Sequence, residues 1–110
     1  MAKAEIDAGI CGFKTTVVAR ANGDGSIQLQ VESDCKAVCK LAEQIQSVDP
    51  YREVFWRRKT PTGIHELAPQ CLSHPACPVP SGIIKAVEVE AGLALPADVS
   101  IRVSKGDGSG

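Results

Sequence analysis

Residues 13–32 read FKTTVVARANGDGSIQLQVE, and the class of fold turns on this stretch. Phe13, Thr15, Val17 and Ala19 fall on one side of an extended chain, and Lys14, Thr16, Val18 and Arg20 on the other. Ile27, Leu29 and Val31 alternate with Gln28, Gln30 and Glu32, as in a strand with one buried face. Between the two runs lies Asn22-Gly23-Asp24-Gly25, which holds both dipeptides that favour the positive φ of short hairpin loops. The sequence therefore predicts an antiparallel hairpin centred near Gly23.

Cys11 and Cys35 are equidistant from Gly23. A symmetric hairpin sets them side by side, and counting in twos puts both thiols on the apolar face with Val17 and Leu29. Beyond the hairpin, Ser33 or Asp34 is the expected cap of a helix running to about Val48, with Val38, Leu41, Ala42, Ile45 and Val48 as its buried stripe. Cys35 then lies in the first helical turn, where free backbone N–H groups and the positive end of the helix dipole favour a thiolate. Cys39, one turn further on, reads either as a small residue beside the core or as a ligand.

Asp49-Pro50 predicts an N-cap with proline at the first helical position, opening a short helix through Tyr51, Val54 and Phe55. Trp56 beside Arg57, Arg58 and Lys59 reads as a solvated charged face with one packed aromatic, or as a partner-docking tip. Thr60-Pro61-Thr62-Gly63 is a turn, Ile64 to Ala68 form a single helical turn, and His65 is a surface or capping residue. Ser81 and Gly92 bracket a second main helix with Ile83, Ile84, Val87 and Ala91 at helical spacing. Val99, Ile101 and Val103 alternate with Ser100, Arg102 and Ser104 and predict a third strand. The expected fold is α+β: an antiparallel hairpin plus a C-terminal third strand, with two main helices packed on one face. Residues 1–104 form one domain in this reading, and residues 105–110 a disordered tail.

With 110 residues the chain has room for one modest core. Its formal net charge is -1 and its only dense basic run is Arg57 to Lys59, which argues against a nucleic-acid partner. Met1 leads into AKAEID without an apolar leader core, and no run of apolar residues is long enough to span a bilayer. The reading is a cytoplasmic protein with no membrane partner. Phe13, Tyr51, Phe55 and Trp56 are too few for a stacking platform.

Five cysteines in a reducing compartment point to ligands or reactive thiols rather than disulfides. Cys71, His74 and Cys77 follow a C-x2-H-x2-C spacing in a proline-bearing loop. The base of the hairpin, a helix N-terminus and this loop are three chain ends that can meet. Cys11, Cys35 and Cys77 are then the core metal ligands, with His74 or Cys71 completing the shell around zinc or an iron–sulfur cluster. There is no Ser-His-Asp order, phosphate-cradling loop or pair of inward carboxylates, and Glu88 and Glu90 read as solvated. The balance is toward a non-catalytic protein. Two other readings stay open: Cys35 as a persulfide carrier or disulfide exchanger with Cys11 or Cys77, and an interaction module built on Tyr51, Phe55, Trp56 and the basic run, with the cysteines merely packed.

Over residues 9–92 the arrangement resembles the iron–sulfur scaffold proteins of the NifU and IscU type. Cys11-Gly12 resembles that family's Cys-Gly at the start of a hairpin, and Cys35 its second cysteine, where the returning strand enters a helix. Cys77 with His74 or Cys71 resembles its third, ahead of a late helix that here carries Ile83-Ile84-Lys85-Ala86. The resemblance implies a scaffold or carrier in iron–sulfur or sulfur metabolism, with a protein partner in sulfur or metal transfer. Phe13 stands where the family has an aspartate, His74 and Cys77 are separated where the family has an adjacent pair, and a closing strand is added. The chain is also similar to a small family of anaerobic bacteria and archaea with a Cys-Gly-Phe start and a Cys-Pro-Val-Pro loop, a likeness that carries no function with it.

Overall fold

The sheet begins with a strand outside the expected hairpin. In the structure, a computed structural model describing residues 1–106, Ala2–Asp7 form strand β1. Ala2, Ala4 and Ile6 turn inward and Lys3, Glu5 and Asp7 outward. β1 pairs antiparallel with β2 (Lys14–Ala21), which pairs antiparallel with β3 (Ile27–Ser33). A two-residue β4 (Ser47–Val48) meets the first residues of β3, giving the order β1-β2-β3-β4. Among the described residues four helices follow the sheet's main strands: α1 (Lys36–Gln44), α2 (Pro50–Glu53), α3 (Gly63–Cys71) and α4 (Val79–Glu90). The fold is α+β. No helix among the described residues is long and apolar enough to cross a membrane.

One face of the sheet carries the core. α4 covers β1 and β2, and α1 covers β3. Val17, Leu41, Ile64, Ile83 and Val87 are fully buried in the single cluster that results. Each such side chain contributes roughly 1.5–3 kcal/mol of transfer free energy.

Several expectations are corrected by tertiary contacts. Val17 faces Val31 and Thr15 faces Ser33, so the hairpin turns about Asp24 rather than Gly23. The Asp24 carboxylate accepts from the Ser26 amide at 2.9 Å and the Ser26 hydroxyl at 2.6 Å, and the Asn22 amide donates to the Ser26 carbonyl at 3.0 Å. This longer loop moves the register, and continuing the pairing sets Phe13, not Cys11, level with Cys35. Helix α1 stops at Gln44, short of Val48. Asp49 precedes a proline and is held extended, and Val48 gains Ile27 as a strand partner instead. α3 runs to Cys71 past Pro69, because the Leu72 amide still reaches the Ala68 carbonyl at 2.8 Å. α4 starts two residues before Ser81 and accommodates Pro80 in its first turn, where no amide is needed.

The C-terminal strand expected over Val99 to Val103 is absent, and β1 is the third long strand. Alternation marks a capacity for pairing, but a strand needs a neighbour, and β1 occupies the edge of β2 that the segment would need. Residues 95–106 are exposed and carry no secondary structure. Of the tail expected over 105–110, residues 107–110 lie outside the described residues.

α4 is held at both ends. Near its start Gly82 lies against Ile6 of β1, so closely that a Cβ there would overlap Ile6 Cγ1 and Cδ1. At its end Glu90, expected to be solvated, accepts from the Ala21 amide at 2.8 Å and lies 3.1 Å from the Met1 amino group. Gly92, with φ of 75°, is the C′ residue: its amide reaches the Val89 carbonyl at 3.1 Å, and the Leu93 amide reaches that of Glu88 at 2.9 Å.

Gly82→Ala is expected to lower stability by about 1–3 kcal/mol in urea unfolding, despite alanine's better helix propensity. In an Ile6→Ala background the same change becomes near neutral; an equal cost in both backgrounds would show that the contact is not the cause. The Ala21 amide, and then the Met1 amino group, hold the Glu90 carboxyl below its ordinary range. Because the folded-state value is depressed, the stabilisation is full above the unfolded carboxylate range and fades as pH falls through the folded value. The stability difference between the native chain and Glu90→Gln, measured by denaturant titration, should be largest near neutrality and shrink below about pH 4.

Candidate functional site

The loop between β1 and β2 is shaped by two glycines. Gly9 and Gly12 have φ of 86° and 74°, the Gly12 amide donates to the Gly9 carbonyl at 2.9 Å, and Asp7 Oδ1 accepts from the Gly9 amide at 3.0 Å. The loop closes where the Ala8 amide meets the Phe13 carbonyl at 3.1 Å. Ile10 and Cys11 are left exposed at its tip. This loop joins the end of β1 to the start of β2.

β3 finishes at the same end of the sheet, since Ser33 pairs with Thr15. Thr15 Oγ1 donates to Ser33 Oγ at 2.8 Å, and that oxygen accepts from the Cys35 amide at 3.1 Å. Cys35 is itself the N-cap residue of α1, one or two positions later than the expected Ser33 or Asp34, and makes no capping bond with its side chain. Its thiol is half-buried against the core. Cys39 Sγ donates to the Ser33 carbonyl at 3.3 Å, so it too belongs to this end, as an exposed residue rather than a core one.

The third segment arrives through α4. Because the helix lies over Ile6 near its start and reaches Ala21 at its end, it runs antiparallel to β1 and begins beside the β1–β2 loop. Cys77, two residues before α4, therefore comes to the end of the sheet that carries Cys11 and Cys35. Its amide donates to the His74 carbonyl at 3.3 Å, and its side chain packs against the core edge. His74 is exposed in the same loop. Cys71 is elsewhere: its sulfur accepts from Gln44 Nε2 at 3.4 Å, and Gln44 ends the helix that Cys35 begins.

All five cysteines are free thiols. Among the described residues no three His, Cys, Asp or Glu side chains are close enough to form a metal-holding group. The donor chemistry of Cys11, Cys35 and Cys77 suits a soft metal, but the three share an end of the sheet without closing around a common point.

A second concentration of chemistry lies on α2, α3 and the turn between them. Tyr51, Phe55 and Trp56 are 61%, 50% and 76% exposed. Tyr51 stacks on Phe55 with ring centres 6.4 Å apart, and Trp56 stacks on His65 at 5.0 Å. Thr62 caps α3 by accepting from the His65 amide at 3.0 Å, and His65 Nδ1 lies 2.8 Å from the same Thr62 Oγ1. Glu53 is buried and accepts from the Ile64 amide at 2.7 Å, closing the same helix start. No local signal marked Glu53, because its partner lies eleven residues away across a turn. Phe55, Trp56 and His65 face Ile84, Lys85 and Glu88 of α4 across a shallow cleft.

No curated protein and no solved structure matches the chain. Residues 2–103, which include every strand and helix of the described residues and all five cysteines, match one family pattern. The chain belongs to that family, described as a family of unknown function (DUF6951).

Proposed function

We propose that the chain is a non-catalytic cytoplasmic binding protein that carries a soft cargo, a zinc ion or an iron–sulfur cluster, on Cys11, Cys35 and Cys77. The observation that supports this is the shared end of the sheet at which the β1–β2 loop, the β3–α1 junction and the start of α4 finish. Thiolates are the donors that such cargo selects. The glycine-shaped Cys11 loop and the Cys77 loop are the parts that close on it, and Cys35 is the fixed point, held through its amide by Ser33. His74, exposed in the same loop as Cys77, is the fourth donor; Cys71, the other candidate, lies beside Gln44 at the end of α1 away from Cys35 and is less well placed. A carrier of this kind needs a protein that supplies or accepts the cargo. The exposed Tyr51, Phe55 and Trp56 beside Arg57, Arg58 and Lys59 favour α2 and the following turn as the surface that meets it.

The test is zinc, iron and acid-labile sulfide content, with the visible spectrum, of protein purified without oxygen and then reconstituted. Cys11→Ser, Cys35→Ser and Cys77→Ser are each expected to lower loading about tenfold or more, with Cys39→Ser unchanged. Loading that ignores all three changes, or a colourless and metal-free product after reconstitution with Zn²⁺ or with iron and sulfide, would overturn the proposal. If the metal-free protein instead has one thiol, Cys35, that alkylates far faster than the rest at neutral pH, a persulfide or disulfide-exchange role replaces it.

A further inference from the structure

Val99-Ser100-Ile101-Arg102-Val103 has β-branched residues at every second position, yet it pairs with nothing among the described residues. Val99, Ile101 and Val103 are 65%, 80% and 90% exposed. The same chain leaves a matching deficit in its sheet. β1 is an edge strand, and the outer backbone groups of Ala2–Asp7 meet no partner among the described residues. An apolar strand without a sheet and a sheet edge without a strand each relieve the other. Both lie within the residues that match the family, so the segment is part of the family's pattern and not an overhang.

We propose that Val99–Val103 of one copy adds as an outer strand to β1 of a second copy, and that the exchange is reciprocal about a two-fold axis. β1 is the edge long enough for it. On the other side of the sheet the edge strand β4 is only two residues long and covers β3 at Ile27 and Gln28, and the Leu29 amide is taken by the Gln46 carbonyl at 2.9 Å. A second copy fits better than the chain's own edge for a directional reason. Glu90 fixes the end of α4 at the end of the sheet where β1 begins, so a returning segment would run parallel to β1 in its own sheet. Between copies it can run antiparallel, as every other pair in this sheet does and with better hydrogen-bond geometry. Side-chain chemistry selects a register. Facing Ile101 with Ile6 and Val103 with Ala4 puts the apolar residues on the helix-covered side. The same register faces Arg102 with Glu5 and Ser104 with Lys3 on the outer side, where opposite charges meet and like charges do not.

Sedimentation equilibrium of the full chain under reducing conditions tests this, combined with hydrogen exchange of the segment's amides. The expected result is a reversible dimer in which the amides of residues 99–103 are protected. Ile101→Lys should raise its dissociation constant about tenfold or more, as should Arg102→Glu, and Glu5→Arg combined with Arg102→Glu should recover part of that loss. The variants at 101 and 102 should leave the circular dichroism of the monomer unchanged, because the segment is not packed on the body. A chain that stays monomeric, a dimer indifferent to Ile101→Lys, or protection of the segment within a monomer would each overturn the proposal.

Discussion

The placement of α4 against the sheet governs most of what the structure can do. Gly82 lets the helix lie directly on Ile6 of β1, and Glu90 ties its far end to the Ala21 amide at the opposite end of the strands. With both points held, the helix has one direction available, antiparallel to β1. Ile83, Ala86 and Val87 are then driven into the cluster with Val17 and Ala19. Water is excluded from Val17, Ala19, Ile83 and Val87, and the loop ahead of the helix is carried to the Cys11 end of the sheet.

α1 is held by burial of Val38 and Leu41, whereas the start of α3 adds polar contacts to the buried Ile64. α3 begins where three satisfied contacts coincide: Thr62 to the His65 amide, Glu53 to the Ile64 amide, and the imidazole back to the threonine hydroxyl. A buried carboxylate that met no donor there would carry a heavy desolvation cost, so Glu53 and the start of α3 specify each other. Arg52 reinforces the pair from outside, reaching Glu66 at 3.0 Å. Trp56 stays 76% exposed and stacks on His65 of α3.

Thiols and strand edges share one physical theme in this molecule. Each leaves bonding capacity unused among the described residues. Cys11 is exposed on a glycine-shaped loop, and Cys35 and Cys77 are half-buried at helix starts, with their amides engaged and no metal-holding group formed around them. Val99, Ile101 and Val103 expose apolar surface while the β1 edge exposes backbone. Such unmet demand is a guide to binding, whether of a soft cargo or of another copy.

What local pattern can encode was legible in the sequence. Period-two alternation and paired Gly-bearing dipeptides gave away β2 and β3, Asp49-Pro50 the start of α2, and Gly92 the end of α4, because each depends on residues only a few positions apart. The alternation of Ala2, Ala4 and Ile6 with Lys3, Glu5 and Asp7 is an equally local strand signal for β1. Tertiary structure decided the rest. Val48 left a helix for a strand partner, and the segment from Val99 to Val103 lost its place in the sheet to β1, while the hairpin register was set locally by the network around Asp24. Cys71 was set beside Gln44, at the end of α1 away from Cys35, and Glu53 and Glu90 were drawn to amides far along the chain. Periodicity states which face a residue prefers, but which neighbour meets that face is set by the packing of the whole chain.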